Sequence, residues 1–422
     1  MFGDRTSLDG RAPIMRCSPT MALDDIDLTD AAVWERAVPY EWFDRLRRED
    51  PLHWHPESDG TGFWAITKYE DLRFVSKRPD LFSSAAHGCT RPDLEGDDLA
   101  QMRMIIIGMD PPEHRLNRDI VSKAFTPRMI SRIEPLLRRE TRRVLEEIGP
   151  RGECEFVHDF AARIPMWSIS ELMGVPESDR MHLFELSHAL IDDQDPEIAP
   201  TPTVREEGSI GVFSYAQQMA ERERANPGDN LTAALLAAEV DGRKLSDMEY
   251  NLFFLFLIVA GNETTRTLAS NGMRTLTEFP DTYAALVADR ALVEPAVEEM
   301  LRWSAPIHHF RRTATQDVEL RGRTIREGDK VIMWYPSANR DEEIFDDGYT
   351  FDIGRNPNMQ ISFGFGEHFC LGANLARLQL RVMFEEILAR MPDVTLAAEP
   401  RRLHSNLING IKEMRVTFTP TA

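Results

Sequence analysis

Apolar residues recur every three or four positions along most of this chain and alternate only in short runs toward its C-terminal third. That pattern predicts a mainly α-helical protein with a minor β part. The first helix falls at about 39–49, PYEWFDRLRRE, where Trp42, Phe43 and Leu46 share a face. GFWAITKYED (62–71) reads as a short strand entering a turn, with helix resuming over 69–77. The stretch from Ser83 to Gly108 holds Cys89, Pro92 and Gly96 and reads as a polar loop. MDPPEHRLNRDIVSKAF then opens a helix: Asp110 is placed to cap it, and Pro111 and Pro112 suit its first turn and no later one. Further helices are predicted over 127–150, 168–190 and 209–225, and the proline-rich, acidic 191–208 reads as a mobile loop.

The longest helix comes next. Ser246 and Glu249 form a capping box, and the helical pattern runs to Phe279, where Pro280 stops it. At 1.5 Å per residue it spans roughly 50 Å. A helix over about 293–304 follows, with Pro295 in its first turn and Pro306 beyond its end. Short β segments come only later, in DVELRG, TIREG, KVIMWY and MRVTFT, and suggest hairpins instead of a doubly wound sheet. The most apolar run, LFFLFLIVAG (252–261), is about half the ~20 residues a membrane span needs, so it reads as a buried helix segment.

Composition narrows the class. No Gly/Ser linker, long charge run or repeat divides the 422 residues, so residues 25–422 are expected to share one core behind a disordered leader at 1–24. The leader has no apolar stretch of the secretory kind. With 49 basic against 70 acidic residues, the net charge of −21 disfavours nucleic acid and anionic lipid as partners. Cys17, Cys89, Cys154 and Cys370 are widely spaced and form no CxxC, which points to a reducing cytoplasm and against disulfides or a thiolate-rich zinc site. A cytoplasmic monomer is expected.

The cysteine in SFGFGEHFCLGANLARL (362–378) raises the question of chemistry. A packing cysteine, a nucleophile, a phosphate loop and a metal ligand all compete. The GxGxxG pattern fails at Phe369. A nucleophile needs a base, which His368 could supply only with favourable loop geometry. Glycines let a backbone approach something flat and bulky, and a helix start favours a thiolate. One thiolate on haem iron needs no other protein ligand, because the porphyrin fills four positions.

FGFGEHFCLG resembles the haem-binding loop of cytochrome P-450 monooxygenases, with Phe363, Gly364, Gly366, His368, Cys370 and Gly372 at the family's spacing. AGNETTR (260–266) sits mid-helix. Read alone, its threonines bond back to carbonyls one turn earlier; an opened ladder there would instead make a small-molecule pocket. It resembles the family's oxygen-activation motif. By that likeness Ala260 and Gly261 border the haem, Thr264 hydrogen-bonds the bound dioxygen, and Glu263 relays protons.

EEMLR places Glu299 and Arg302 one helical turn apart, an ordinary surface pair when exposed. With FDIGR it resembles the family's Glu–Arg–Arg triad, completed by Arg355, which implies a buried structural network. His114 and Arg118 share a helix face, and Arg312 lies in HFRRTATQDVEL before a strand. By position these three and His368 resemble the family's haem-propionate partners. The likeness spans residues 109–118, 246–266, 299–312 and 351–378, in the family's order.

The resemblance implies a P-450 fold with haem b held between the long helix and the cysteine-loop helix. It further implies insertion of one oxygen atom of O2 into a C–H bond, with electrons from a ferredoxin and its NAD(P)H-dependent reductase. Arginines in 127–143, with Arg377 and Arg381, suggest a dock for an acidic ferredoxin. The 85–108 and 191–208 loops, with Phe256, Val259, Ala260, Ile307, His308 and His309, are the pocket-wall candidates, the two histidines reading equally as structural ones. Likeness to steroid, branched-lipid and terpenoid hydroxylases sets the expected substrate class. A haem-thiolate peroxygenase or isomerase, a haem-based sensor and a cysteine hydrolase are the competing readings.

Overall fold

The Ser246 side chain accepts from the Glu249 N–H, and the Glu249 carboxylate accepts from the Ser246 N–H at 2.8 Å. The predicted capping box thus starts a 32-residue helix, Asp247–Glu278, about 48 Å long. In the computed structural model, which describes residues 21–58, 60–124, 127–188, 190, 194–198 and 200–421, this helix runs unbroken through the protein. It is long and apolar enough to cross a membrane, but 67% of its most apolar window is buried inside the protein, as in a core helix. Of the expected leader, residues 1–20 lie outside the described residues.

Helices Arg163–Met173 and Pro202–Ala225 pack along the long helix, while Ala373–Arg390 packs on Pro127–Ile148 and Val293–Trp303. The largest core joins Met273 and Leu276 of the long helix to Met383, Phe384 and Ile387 of the last one. Each such fully buried side chain contributes about 1.5–3 kcal/mol. Gly272 permits the close approach: a Cβ there would lie 2.8 Å from the Phe384 ring and 2.9 Å from the Met300 sulfur.

The β part is a five-stranded sheet. Leu52–His55 pairs antiparallel with Phe63–Ile66, which runs parallel to Lys330–Trp334. His309–Ala314 lies antiparallel on the other side of that strand, and Phe82–Ser83 closes the edge. Arg312, expected before a strand, is inside one. Arg311, Arg312, Thr313 and Ala314 are all buried, so both faces are covered and no alternation marks the strand.

Four further expectations change. The 168–190 helix is two, Arg163–Met173 and Arg180–His188, because Gly174 turns left-handed at φ +78° ahead of Pro176. The 83–108 loop contains the helix Gly96–Met102 and is fastened by the Arg311 guanidinium, which donates to the Arg91 and Pro92 carbonyls and to Asp93. The 191–208 loop ends early, since a helix starts at Pro202. Its Asp195 is buried, pairing with Lys412 at 2.9 Å and accepting from the His404 N–H. The Asp110 carboxylate does not cap its helix. It accepts from the Ser84 N–H at 2.8 Å and from the Ser83 hydroxyl, while its carbonyl takes the His114 N–H. Asp110→Ala is expected to lower the urea midpoint by a loss of about 1–3 kcal/mol, because it leaves those donors unpaired.

Candidate active site

One cavity of about 1380 Å³, its open mouth included, lies between the long helix and the cysteine loop. Phe256, Ala260, Gly261 and Thr264 line it from the helix; Phe363, Gly364, His368, Cys370 and Gly372 line it from the loop.

The loop is shaped by two left-handed glycines, Gly364 at φ +74° and Gly366 at φ +70°. A Cβ on Gly366 would come within 2.5 Å of the Ser76 carbonyl oxygen. The Cys370 N–H donates to the Phe363 carbonyl at 2.9 Å, closing the loop just before helix Ala373–Arg390. Cys370 is exposed, but into the cavity. Burial raises its thiol pKa, and the Gly372 N–H, Arg118 and Arg377 oppose that shift. A bound metal would remove the proton outright. Cys89 and Cys154 are buried, with thiols pushed up to about 11 and about 12, so both are inert.

Two glycines facing the cavity have no reason within the protein to be glycine. A Cβ on Gly372 would meet nothing within 4 Å, and one on Gly261 would meet only Ile169, at 3.7 Å. Neither backbone is left-handed. The space they leave is a cradle open on both sides for a flat guest.

The four predicted basic groups converge on the same cavity. His114 is 1% exposed and neither ring nitrogen has a partner. Its ring centroid is 4.3 Å from that of His368, whose Nε2 is 3.2 Å from the Ser84 hydroxyl. Arg118 donates to the Phe369 carbonyl at 2.6 Å and Arg312 to that of Arg311 at 2.7 Å. Burial, then Arg118, pushes His114 down to about 4; burial, then Arg312 and His114, holds His368 well below its usual range. A cationic cluster that suppresses its own charge fits a guest bearing carboxylates. With the cradle and the single inward thiol, these residues fit haem.

Between pH 6.5 and about 4 the unfolded chain binds a proton at His114 that the folded haem-free protein refuses, so stability falls as pH drops through that window. Urea midpoints of the haem-free protein at pH 7 and pH 5 should therefore differ more in wild type than in His114→Gln.

Thr264 lines the cavity; its hydroxyl donates to the Ala260 carbonyl at 2.8 Å, so it bonds back while the helix stays unbroken. Glu263 does not line it. It is buried and paired with Arg266 at 2.5 Å. Val259, His308 and His309, expected as pocket walls, do not line the cavity either. Helical geometry turns Val259 away from the face shared by Ala260 and Thr264. His308 packs 4.3 Å from Trp34 and His309 4.7 Å from Trp334, in the core behind Pro306, Ile307 and Phe310, which take the cavity side. Ile106 and Ile107 bring the 85–108 segment to the wall as expected, no described residue of 191–208 reaches it, and Ile169 and Tyr335 also line it with no sequence signal to single them out.

The expected triad is assembled. Arg302 binds Glu299 at 2.6 and 2.8 Å with both residues fully buried, and Arg355 Nε lies 3.5 Å from Glu299. Asn358 and the Asp352 N–H, not foreseen, complete the carboxylate's shell.

Comparison with known proteins agrees with this geometry. The cytochrome P450 family model matches residues 209–392. A steroid C26-monooxygenase of Mycolicibacterium smegmatis is 38% identical over 405 residues, 94% of each chain. A methyl-branched lipid omega-hydroxylase of Mycobacterium tuberculosis is 40% identical over 427 residues, 98% of each. A crystal structure of a Mycobacterium marinum cytochrome P450 in complex with pseudoionone superposes with a TM-score of 0.87 at 37% identity, covering 95% of this chain and 100% of that one. Helical scaffold, glycine-framed cysteine and near full-length likeness together assign the chain to the cytochrome P450 family, as a haem- and O2-using monooxygenase.

Proposed function

We propose that this P450 hydroxylates a C–H bond of a hydrophobic sterol, steroid, terpenoid or methyl-branched lipid, with electrons from NAD(P)H delivered by a ferredoxin and its reductase in the cytoplasm. The cavity lining carries the substrate class. Apart from the four basic groups, no charged side chain among the described residues lines it, and Ile106, Ile107, Ile169, Phe256, Ile307 and Phe310 leave an aliphatic and aromatic wall. The similar proteins named for steroid and methyl-branched lipid oxidation support the same class.

In this reading Cys370 is the sole protein ligand to iron, and Ala260, Gly261, Phe363, Gly364 and Gly372 frame the macrocycle. When bound, the haem supplies reductive activation of O2, which a thiolate ligand favours. His114, Arg118, Arg312 and His368 neutralise the propionates. Thr264 presents a hydroxyl to the reacting side once it releases the Ala260 carbonyl, and Glu263 resupplies its proton. The apolar wall excludes water and holds the substrate.

A ferredoxin dock on the cysteine side draws on arginines already in ion pairs: Arg138 and Arg142 with Glu386, Arg381 with Glu134, Arg377 with Glu298. Arg132, Arg142 and Arg143 nonetheless keep 58, 48 and 57% of their side chains exposed. Reduction by an acidic ferredoxin should slow steeply with added salt.

Two measurements test the reading. Titrating the ferric protein with a sterol, pseudoionone and a methyl-branched fatty acid should give a saturable spin-state shift with at least one; no shift with any contradicts the substrate class. A positioned proton donor is worth ~10²–10⁴-fold. Thr264→Ala should therefore keep its haem but lose at least about tenfold in product per electron, with the difference appearing as peroxide. Unchanged coupling contradicts the role of Thr264.

A further inference from the structure

The strand His309–Ala314 faces two ways. Phe310 and Arg312 line the cavity, whereas Arg311 between them turns to the opposite face, where it is 1% exposed. There it meets a stretch of chain that no helix or strand supports, between Phe82–Ser83 and Gly96–Met102. The Arg311 N–H donates to the Cys89 carbonyl at 2.8 Å. Its guanidinium donates to the Arg91 carbonyl at 3.2 Å, the Pro92 carbonyl at 3.0 Å and the Asp93 carboxylate at 2.6 Å. Lys330 stands behind it, its Nζ 2.7 Å from Glu57 and 3.1 Å from Asp93.

The stretch so held reaches the cavity through Met102. The Cys89 sulfur lies 3.9 Å from the Met102 sulfur. A Cβ on Gly108 would lie 2.3 Å from the Met102 carbonyl oxygen and 2.7 Å from its Cγ, so the chain at 106–108 is folded hard against Met102. Arg103 Nε donates to the Ala85 carbonyl at 2.7 Å and Nη2 to that of Ala86 at 3.2 Å, which ties the far end of the loop to its start. Ile106 and Ile107 stand at that far end and face the cavity.

From this we propose that Arg311 is a positioning residue for substrate selection: by fixing residues 89–93 it sets, through Met102, where Ile106 and Ile107 stand, and so which guests the cavity wall accepts. The inference rests on the reading of those isoleucines as substrate wall. Arg311 itself touches no guest, and its loss strands no buried charge, because Asp93 keeps Lys330. Two backbone carbonyls lose a donor, a local cost that frees the loop and leaves the sheet paired.

The test compares the ferric holoenzyme of wild type and R311M. Amide hydrogen exchange, read by mass spectrometry, should rise over 85–108 in R311M and stay at the wild-type level in the long helix and in Phe63–Ile66. Imidazole and 4-phenylimidazole both bind ferric haem iron whatever the natural substrate, and only the second carries a ring that needs the wall. R311M should lower the affinity for 4-phenylimidazole relative to imidazole by about 2–30-fold, the range for a mutation acting through a packed network. The spectrum of the reduced protein with carbon monoxide should not change. Unchanged exchange over 85–108 overturns the proposal, as does raised exchange there with an unchanged affinity ratio. An equal loss for both azoles, or exchange raised throughout the protein, marks general loosening and also overturns it. If wild type binds neither the sterol, pseudoionone nor the branched acid while R311M shifts the azole ratio, the substrate class fails and this proposal stands. Should R311M fail to fold, R311Q takes its place, since it keeps a donor for one of the two carbonyls. Failure of both means that Arg311 supports the core and not the wall, and overturns the proposal.

Discussion

Glu299→Ala is expected to cost about 3–5 kcal/mol, the penalty for stranding a buried charge, and so to leave little of a typical ~5–15 kcal/mol stability. The Arg302 guanidinium is fully buried and spends its other N–H groups on the Asn339, Gly348 and Thr350 carbonyls. None of those carries a charge that could replace Glu299. Arg355, Asn358 and the Asp352 N–H lose the same acceptor. The damage extends to the cysteine loop, because the Asn339 side chain accepts from the Ile361 N–H and donates to the Ser362 hydroxyl. Urea unfolding should show the lowered midpoint, and haem should leave the variant faster than wild type. Replacing both charges, as in Glu299→Gln with Arg302→Met, should recover part of the loss; an unshifted midpoint in Glu299→Ala would mean that the network is dispensable.

The second large effect is chemical. Cys370→Ala removes a side chain that points into the cavity, so the protein alone should stay within ~0.5 kcal/mol of wild type. No other cysteine among the described residues can substitute, since Cys89 and Cys154 are buried with their thiols pushed well up. Nor do the described residues hold any cluster of three histidine, cysteine or acidic side chains able to bind a metal. Monooxygenation should therefore vanish with the thiol while the fold survives. Product analysis and a urea titration of one preparation separate those outcomes.

How much of this was legible beforehand depends on where the signal lies. The long helix was readable because both its ends are marked locally, by the Ser246–Glu249 box and by Pro280. The cysteine loop was readable because close approach and left-handed turns demand glycine at fixed spacings. His114 and Arg118, four apart on one helix, do meet in the cavity.

What failed depended on neighbours distant in sequence. His309–Ala314 is covered on both faces by other elements, which erases the period of two. Glu263 follows Asn262 and precedes Thr264, yet a step of about 100° per residue places it outside the cavity. His308 and His309 looked like polar pocket walls, but Trp34, from far earlier in the chain, receives one of them in a core stack. Asp110 has an ideal capping position and spends its carboxylate on Ser83 and Ser84 instead. Adjacency in sequence identified the groups; only packing decided which way each one faced.

The central claim is that Cys370 binds haem iron as a thiolate. Its most direct test is the absorption spectrum of the reduced holoprotein with carbon monoxide, recorded beside that of Cys370→Ala. Thiolate ligation predicts a strongly red-shifted Soret band in the wild type and its absence in the variant. A wild-type spectrum without that shift, or one that survives the loss of Cys370, would contradict the account.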